Sequence, residues 1–132
     1  MSNSLIFTVA IPPSVNNCFL QVKGRGRILT NEARAYKENT KRHIFAAAVI
    51  AKWRYQKGQR LAVEVRVFFK DKRPRDLGNL DKLLIDSIAD ACGFNDCCID
   101  DERFIRAEID KLNPRCEVTL SVISDTAKGL LL

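Results

Sequence analysis

The hydrophobic positions of this chain switch period repeatedly, and each switch marks an element. Residues 4–11 form an apolar, β-rich run that Pro12 and Pro13 close, which predicts a first strand. A polar, glycine-punctuated segment follows as far as Thr30, with room for a short extended hairpin. Thr30 or Asn31 is placed to cap a helix running to Trp53 or Tyr55, with Tyr36, Ile44, Ala47, Ala48 and Ala51 among its apolar positions. Residues 61–69 alternate, so that Leu61, Val63, Val65, Val67 and Phe69 share one face of a half-buried strand. Lys70–Arg75 reads as a basic loop. Leu80, Leu84, Ile88 and Ala91 then make one stripe of a helix over Leu77–Ala91, which Gly93 ends. After an acidic stretch at 95–102, two strands are predicted near 103–111 and 115–123, joined by a turn at Asn113–Pro114. The residues after Ser124 are expected to be a loose tail, or one lent to a partner.

The order, roughly β-α-β-α-β-β, predicts a mixed α+β (α/β) domain of one or two layers. At 132 residues the whole chain is expected to be one domain with a modest core, which favours a dimer. No apolar run approaches 18 residues, so no membrane helix is expected. The N-terminus lacks the positive start of a secretion signal, and the expected location is the cytoplasm. Five cysteines at 18, 92, 97, 98 and 116 are odd in number and irregular in spacing, as reduced thiols are. Cys92, Cys97 and Cys98 have no C-x-x-C pairing and no nearby histidine to support zinc.

Charge changes the picture most. Residues 1–82 carry 17 Lys/Arg against 6 Asp/Glu, whereas residues 83–132 carry 5 against 10. A basic surface neutralises phosphates and an acidic cluster holds a hard cation, so the asymmetry suits a metal-using enzyme on nucleic acid. A solvated, mildly basic surface accounts for the same numbers.

The chemistry concentrates in residues 70–104. Asp76 stands just before a helix, where a carboxylate can either cap backbone N–H groups or ligate. On a continuous helix Asn79, Lys82 and Asp86 share one face, although Lys82 and Asp86 at i,i+4 also read as an ordinary surface pair. Asp100 and Asp101 return after the glycine-broken loop, where a solvated turn is the plain reading. Phosphodiester hydrolysis wants such a set: carboxylates on Mg²⁺, a metal-activated water, and a cation beside the developing charge.

The segment Arg-Asp-Leu-Gly-Asn-Leu-Asp-Lys (75–82), with Ile-Asp-Asp-Glu-Arg-Phe (99–104), resembles the signature of the RusA family of Holliday-junction resolvases. Pro12-Pro13-Ser14-x-Asn16 after the first strand and residues 30–40 before the first helix also match, so the resemblance spans residues 5–123 in order. It implies a homodimeric, Mg²⁺-dependent endonuclease, with Mn²⁺ able to substitute, that nicks four-way DNA junctions symmetrically in recombination and repair. Two-fold symmetry in such an enzyme mirrors that of its substrate. By resemblance Asp76 and Asp101 are catalytic and metal-binding, Asp100 lies beside them, Lys82 assists at the scissile phosphate, and Arg75 handles DNA.

The match departs at Gly78, where the family has a second aspartate; Asp81 and Asp86 are the carboxylates nearest to compensating. Gly78 motivates a second reading, a junction-binding protein without cleavage, and a basic adaptor for a protein partner is a third. Lys72, Arg73 and Asn79 near the site are further candidates for DNA contact. Lys23, Arg25 and Arg27 on the glycine loop can approach a phosphate backbone, but their spacing is not that of a P-loop. Arg34, Lys37, Lys41 and Arg42 either extend this surface or are plain helix exterior. Phe19 is a candidate base-stacking wedge, a buried anchor or a dimer contact. His43 reads as structural or surface, and Trp53 and Tyr55 as packing residues.

Overall fold

In the computed structural model of the chain, which describes residues 4–14 and 17–124, the apolar runs become strands of a four-stranded sheet and a separate two-stranded one. The strands are β1 (Ser4–Val9), β2 (Phe19–Val22), β3 (Gly26–Leu29), β4 (Arg60–Phe68), β5 (Ile99–Arg106) and β6 (Arg115–Ser124), and the helices are α1 (Asn31–Ala51) and α2 (Asp81–Cys92). The main sheet has the order β1-β6-β4-β5, and β2-β3 form a separate hairpin. β6 is antiparallel to both neighbours, while β5 runs parallel to β4 after the α2 crossover. This is a mixed α+β fold, as the patterning predicts.

The alternation in β4 works as expected. Leu61, Val63, Val65 and Val67 are buried against α1 and α2 with their neighbours in β1 and β6, Leu5, Phe7, Val9, Cys116, Val118 and Leu120. Each large side chain withdrawn from water contributes about 1.5–3 kcal/mol. The α2 stripe is wider than its period suggests, because the helix packs on both the sheet and α1: Leu83, Ile85 and Ala89 are buried beside Leu84 and Ile88. Lys37 on α1 pairs with Asp90 on α2 at 2.8 Å. This ties one of the candidate DNA cations into the helix pair.

Boundaries differ from the expectation for local reasons. α1 stops at Ala51 instead of Trp53 or Tyr55, since Lys52 is left-handed (φ 55°) and turns the chain so that Trp53 enters the core. The helix expected from Leu77 is split. Leu77–Asn79 form a 3₁₀ turn, and α2 begins only at Asp81. The strand expected at 103–111 begins at Ile99, so Asp100 and Asp101 lie in β5 and not in a solvated turn. Ile99 faces Leu61 and Asp101 faces Ala62, a bulge that leaves Asp100 between registered pairs.

The β2–β3 hairpin turns through Gly24 and Gly26, whose φ values of 78° and 71° favour glycine. Its stem packs on a small separate cluster of Cys18, Ala33 and Leu83. Thr30 joins hairpin to helix: its hydroxyl donates to the Asn17 carbonyl (2.9 Å) and accepts from the Ala33 N–H (3.1 Å). Asn16 and the tail after Ser124 lie outside the described residues.

Candidate active site

Asp76 sits at the end of the irregular segment that leaves β4. Its backbone is extended, and its carboxylate accepts the Gly78 N–H at 2.9 Å while its carbonyl accepts the Asn79 N–H at 3.0 Å. The capping reading holds for one carboxylate oxygen, and the other accepts no hydrogen bond among the described residues. Asp76 lines a cavity of about 640 Å³ with Phe69, Lys70, Arg75, Asn79 and Ser14. Two cationic side chains, an amide and a hydroxyl are suitable partners for a phosphodiester, whereas the Asp76 carboxylate repels one unless a cation lies between them.

Beside it, the Phe69 ring carries two guanidinium groups, Arg75 at 4.7 Å and Arg106 at 5.0 Å from its centroid. Arg75 is bound by its own loop: it reaches the Asp71 carboxylate at 2.6 Å and the Asp71 carbonyl at 3.1 Å. The Arg73 N–H and the Arg75 side chain together hold the Asp71 carboxyl below the usual carboxylate range. Arg73 also approaches Asp71 (3.5 Å), and Lys72 is exposed. Arg106 donates to the carbonyl of Arg75. Nothing in the sequence pattern singles out Arg106, since it lies 31 positions from the group it contacts.

None of the remaining candidates lines the Asp76 cavity. Asp100 is held by Arg60 through contacts of 3.0 and 2.5 Å, and that side chain keeps its carboxyl acidic. Asp101 pairs with Arg103 at 3.1 Å and lines a different cavity, with Glu64, Thr119 and Ser121. Lys82 is exposed and 3.6 Å from Asp86, the plain i,i+4 pair. Because the 3₁₀ turn interrupts the helix, Asn79 enters the Asp76 cavity while Lys82 does not line it. Asp81 approaches Glu102, whose carboxyl is raised by partial burial, then by Asp81 and Asp96.

Phe19 is covered by Arg27, whose guanidinium lies 4.3 Å from the ring centroid, and it packs on the Cys18 cluster. This half-buried packing is what the anchor reading expects. Lys23, Arg25 and Arg27 are exposed on the hairpin, and Arg34 donates to the Leu29 carbonyl at 3.0 Å. His43 is exposed. Burial pushes the Cys92 thiol up to about 11 and Cys116 to about 12, so both are protonated at neutral pH.

The family model for the endodeoxyribonuclease RusA matches residues 10–121. The chain belongs to the RusA endodeoxyribonuclease family. Relatives named crossover junction endodeoxyribonuclease RusA are 31% identical in Shigella sonnei (strain Ss046) and 30% in Escherichia coli (strain K12), each match covering 90% of this chain and 95% of the relative. A solved cyclodiphosphate synthase from Plasmodium vivax aligns at a TM-score of 0.36 and 9% identity, too distant to bear on fold or function. Family membership is that of a nuclease.

Among the described residues no group of three or more His, Cys, Asp or Glu side chains is close enough to hold a divalent ion. Asp76 lacks a carboxylate neighbour at Gly78, and Asp100 and Asp101 are each engaged by arginine. Mg²⁺ keeps several waters and takes one or two carboxylates beside substrate phosphate oxygens, so Asp76 alone offers one of the protein donors such an ion would use. No helix among the described residues is long and apolar enough to cross a membrane.

Proposed function

We propose that this chain is an endonuclease that resolves four-way DNA junctions by paired nicks, acting in the cytoplasm as a homodimer, with Asp76 as the central carboxylate of its site. The observation that supports the reading best is the Asp76 cavity, where the family segment places a carboxylate beside Lys70, Arg75 and Asn79. The basic residues 1–82 supply phosphate neutralisation on a scale suited to branched duplexes. Mg²⁺, with Mn²⁺ as substitute, is the proposed cofactor. Its remaining donors would come from outside the arrangement of one chain. Asp101 and Asp100 are the further proposed metal carboxylates, and Lys82 is the proposed cation at the scissile phosphate. Arg73, Lys72, Lys23, Arg25, Arg27 and Asn79 are the proposed DNA contacts.

The test is cleavage of a labelled four-way junction and a matched linear duplex, in Mg²⁺, Mn²⁺ and chelator, by the natural chain and by Asp76→Asn. Symmetric metal-dependent nicks confined to the junction and lost in the variant are expected. Tight junction binding without nicking in either metal would overturn the enzyme reading in favour of a binding protein, the alternative that Gly78 motivates.

A further inference from the structure

Asp76 ends a segment, residues 69–76, that has no regular hydrogen-bonded ladder and must still present its carboxylate at one place. Two arginines on one phenylalanine ring hold that segment, and their roles differ. Arg75 is neutralised by Asp71 within the same loop, so its contacts fix the loop to itself. Arg106 comes from β5, and among the described residues no ion pair joins it to a carboxylate. Its polar partner is instead the Arg75 carbonyl, with the Phe69 face beneath.

That carbonyl belongs to the peptide linking Arg75 to Asp76. Its orientation sets the direction from which Asp76 leaves the chain, and hence where the carboxylate meets the cavity. A charged donor makes the stronger kind of hydrogen bond to a carbonyl. Stacking on Phe69 keeps the planar guanidinium aligned for it. Phe69 is itself buried, and its carbonyl accepts the Asp110 N–H at 2.8 Å, so the platform is anchored. We propose that Arg106 is a positioning residue of this nuclease, holding the Arg75–Asp76 peptide from the β5 side. The proposal rests on the reading of Asp76 as the central carboxylate.

A reacting group displaced by about 1 Å can cost about 100-fold in rate. Arg106→Met keeps an apolar cover on Phe69 and loses the donor; Arg106→Lys keeps a cationic donor. Single-turnover cleavage of a labelled junction, junction affinity and melting temperature are measured for both variants beside Asp76→Asn. Arg106→Met is expected to melt as the natural protein does and to bind junctions within about threefold, while cleaving about 10- to 100-fold more slowly. Arg106→Lys is expected to recover most of that loss. Arg106→Met cleaving at the natural rate while Asp76→Asn is inactive would overturn the proposal alone. So would a cleavage loss matched by lost binding or unrescued by lysine. Asp76→Asn cleaving normally would overturn the site reading, and the proposal with it.

Discussion

In a Gly78→Asp variant the new Cβ would lie 3.3 Å from Oδ1 of Asp76 and 4.0 Å from its Cγ. Gly78 is not in the left-handed region, so an aspartate adds no backbone strain, and the cost is electrostatic and steric. Two carboxylates about 4 Å apart repel by about 1 kcal/mol in a water-like medium and about 4 kcal/mol at an effective dielectric of 20. Both positions are exposed, which places the value near the lower end, about 1–2 kcal/mol. Replacing glycine restricts the unfolded chain and offsets about 0.4–1 kcal/mol. The net cost is about 0–1.6 kcal/mol, so the variant should melt no more than about 6 °C lower than the natural chain in chelator. A divalent ion bridging the pair reverses the sign. At ten times its dissociation constant it adds about 1.4 kcal/mol, so Mg²⁺ should raise the melting temperature of the variant more than that of the natural protein. Thermal melts across a Mg²⁺ titration, run beside junction cleavage, read both effects, and cleavage should increase with the metal-dependent gain. An equal Mg²⁺ response in the two proteins would refute the idea that the missing carboxylate limits metal binding here.

Leu84→Ala removes a fully buried side chain between sheet and helices and should cost about 2–5 kcal/mol, read as a lower urea midpoint with unchanged slope. Removing both hairpin-tip cations (Lys23→Ala with Arg25→Ala) should lower the salt dependence of junction affinity by about two phosphate contacts, measured as the slope of log affinity against log salt. Glu102→Gln should raise the melting temperature at pH 7. The folded-state carboxyl is raised by partial burial and by Asp81, so its charged form destabilises the fold above the folded value. Protonation relieves that cost, so the difference between the two proteins should close as pH falls below about 4, the ordinary carboxylate value. A gap that persists at low pH would point to packing instead.

Much of the architecture was legible because it rests on period alone. Val63, Val65 and Val67 declare a strand whichever neighbours they find, and Leu84 and Ile88 declare a helix face. The errors arose where a side chain competes with backbone periodicity. The Asp76 carboxylate takes the Gly78 N–H and closes a 3₁₀ turn, so Asn79 is not on the same helix as Lys82 and Asp86. Asp100 and Asp101 look like a turn until Arg60 and Arg103 neutralise them, and Arg60 is 40 positions away. The contact of Arg106 with the Arg75 carbonyl has no local signature either. Asp76 itself was legible from its segment. The donors that surround it were only partly so, because Lys70 and Asn79 join it by proximity in the sequence while Ser14 joins it through the sheet.

The pairing of β1 with β6 sets Ser4 against Ser121, so β1 waits for residues up to 117 positions later before it has a neighbour in the sheet. At about 5–20 residues per second of synthesis, Leu5, Phe7 and Val9 leave the ribosome several seconds or more ahead of Leu120 and Val118. During that interval an apolar strand has no ladder to join, and non-local pairing of this kind is also slow to form. Until β6 is made, β1 is an unpaired apolar edge open to chaperone capture or wrong pairing. The two adjacent prolines that close the β-rich run also keep this early strand short.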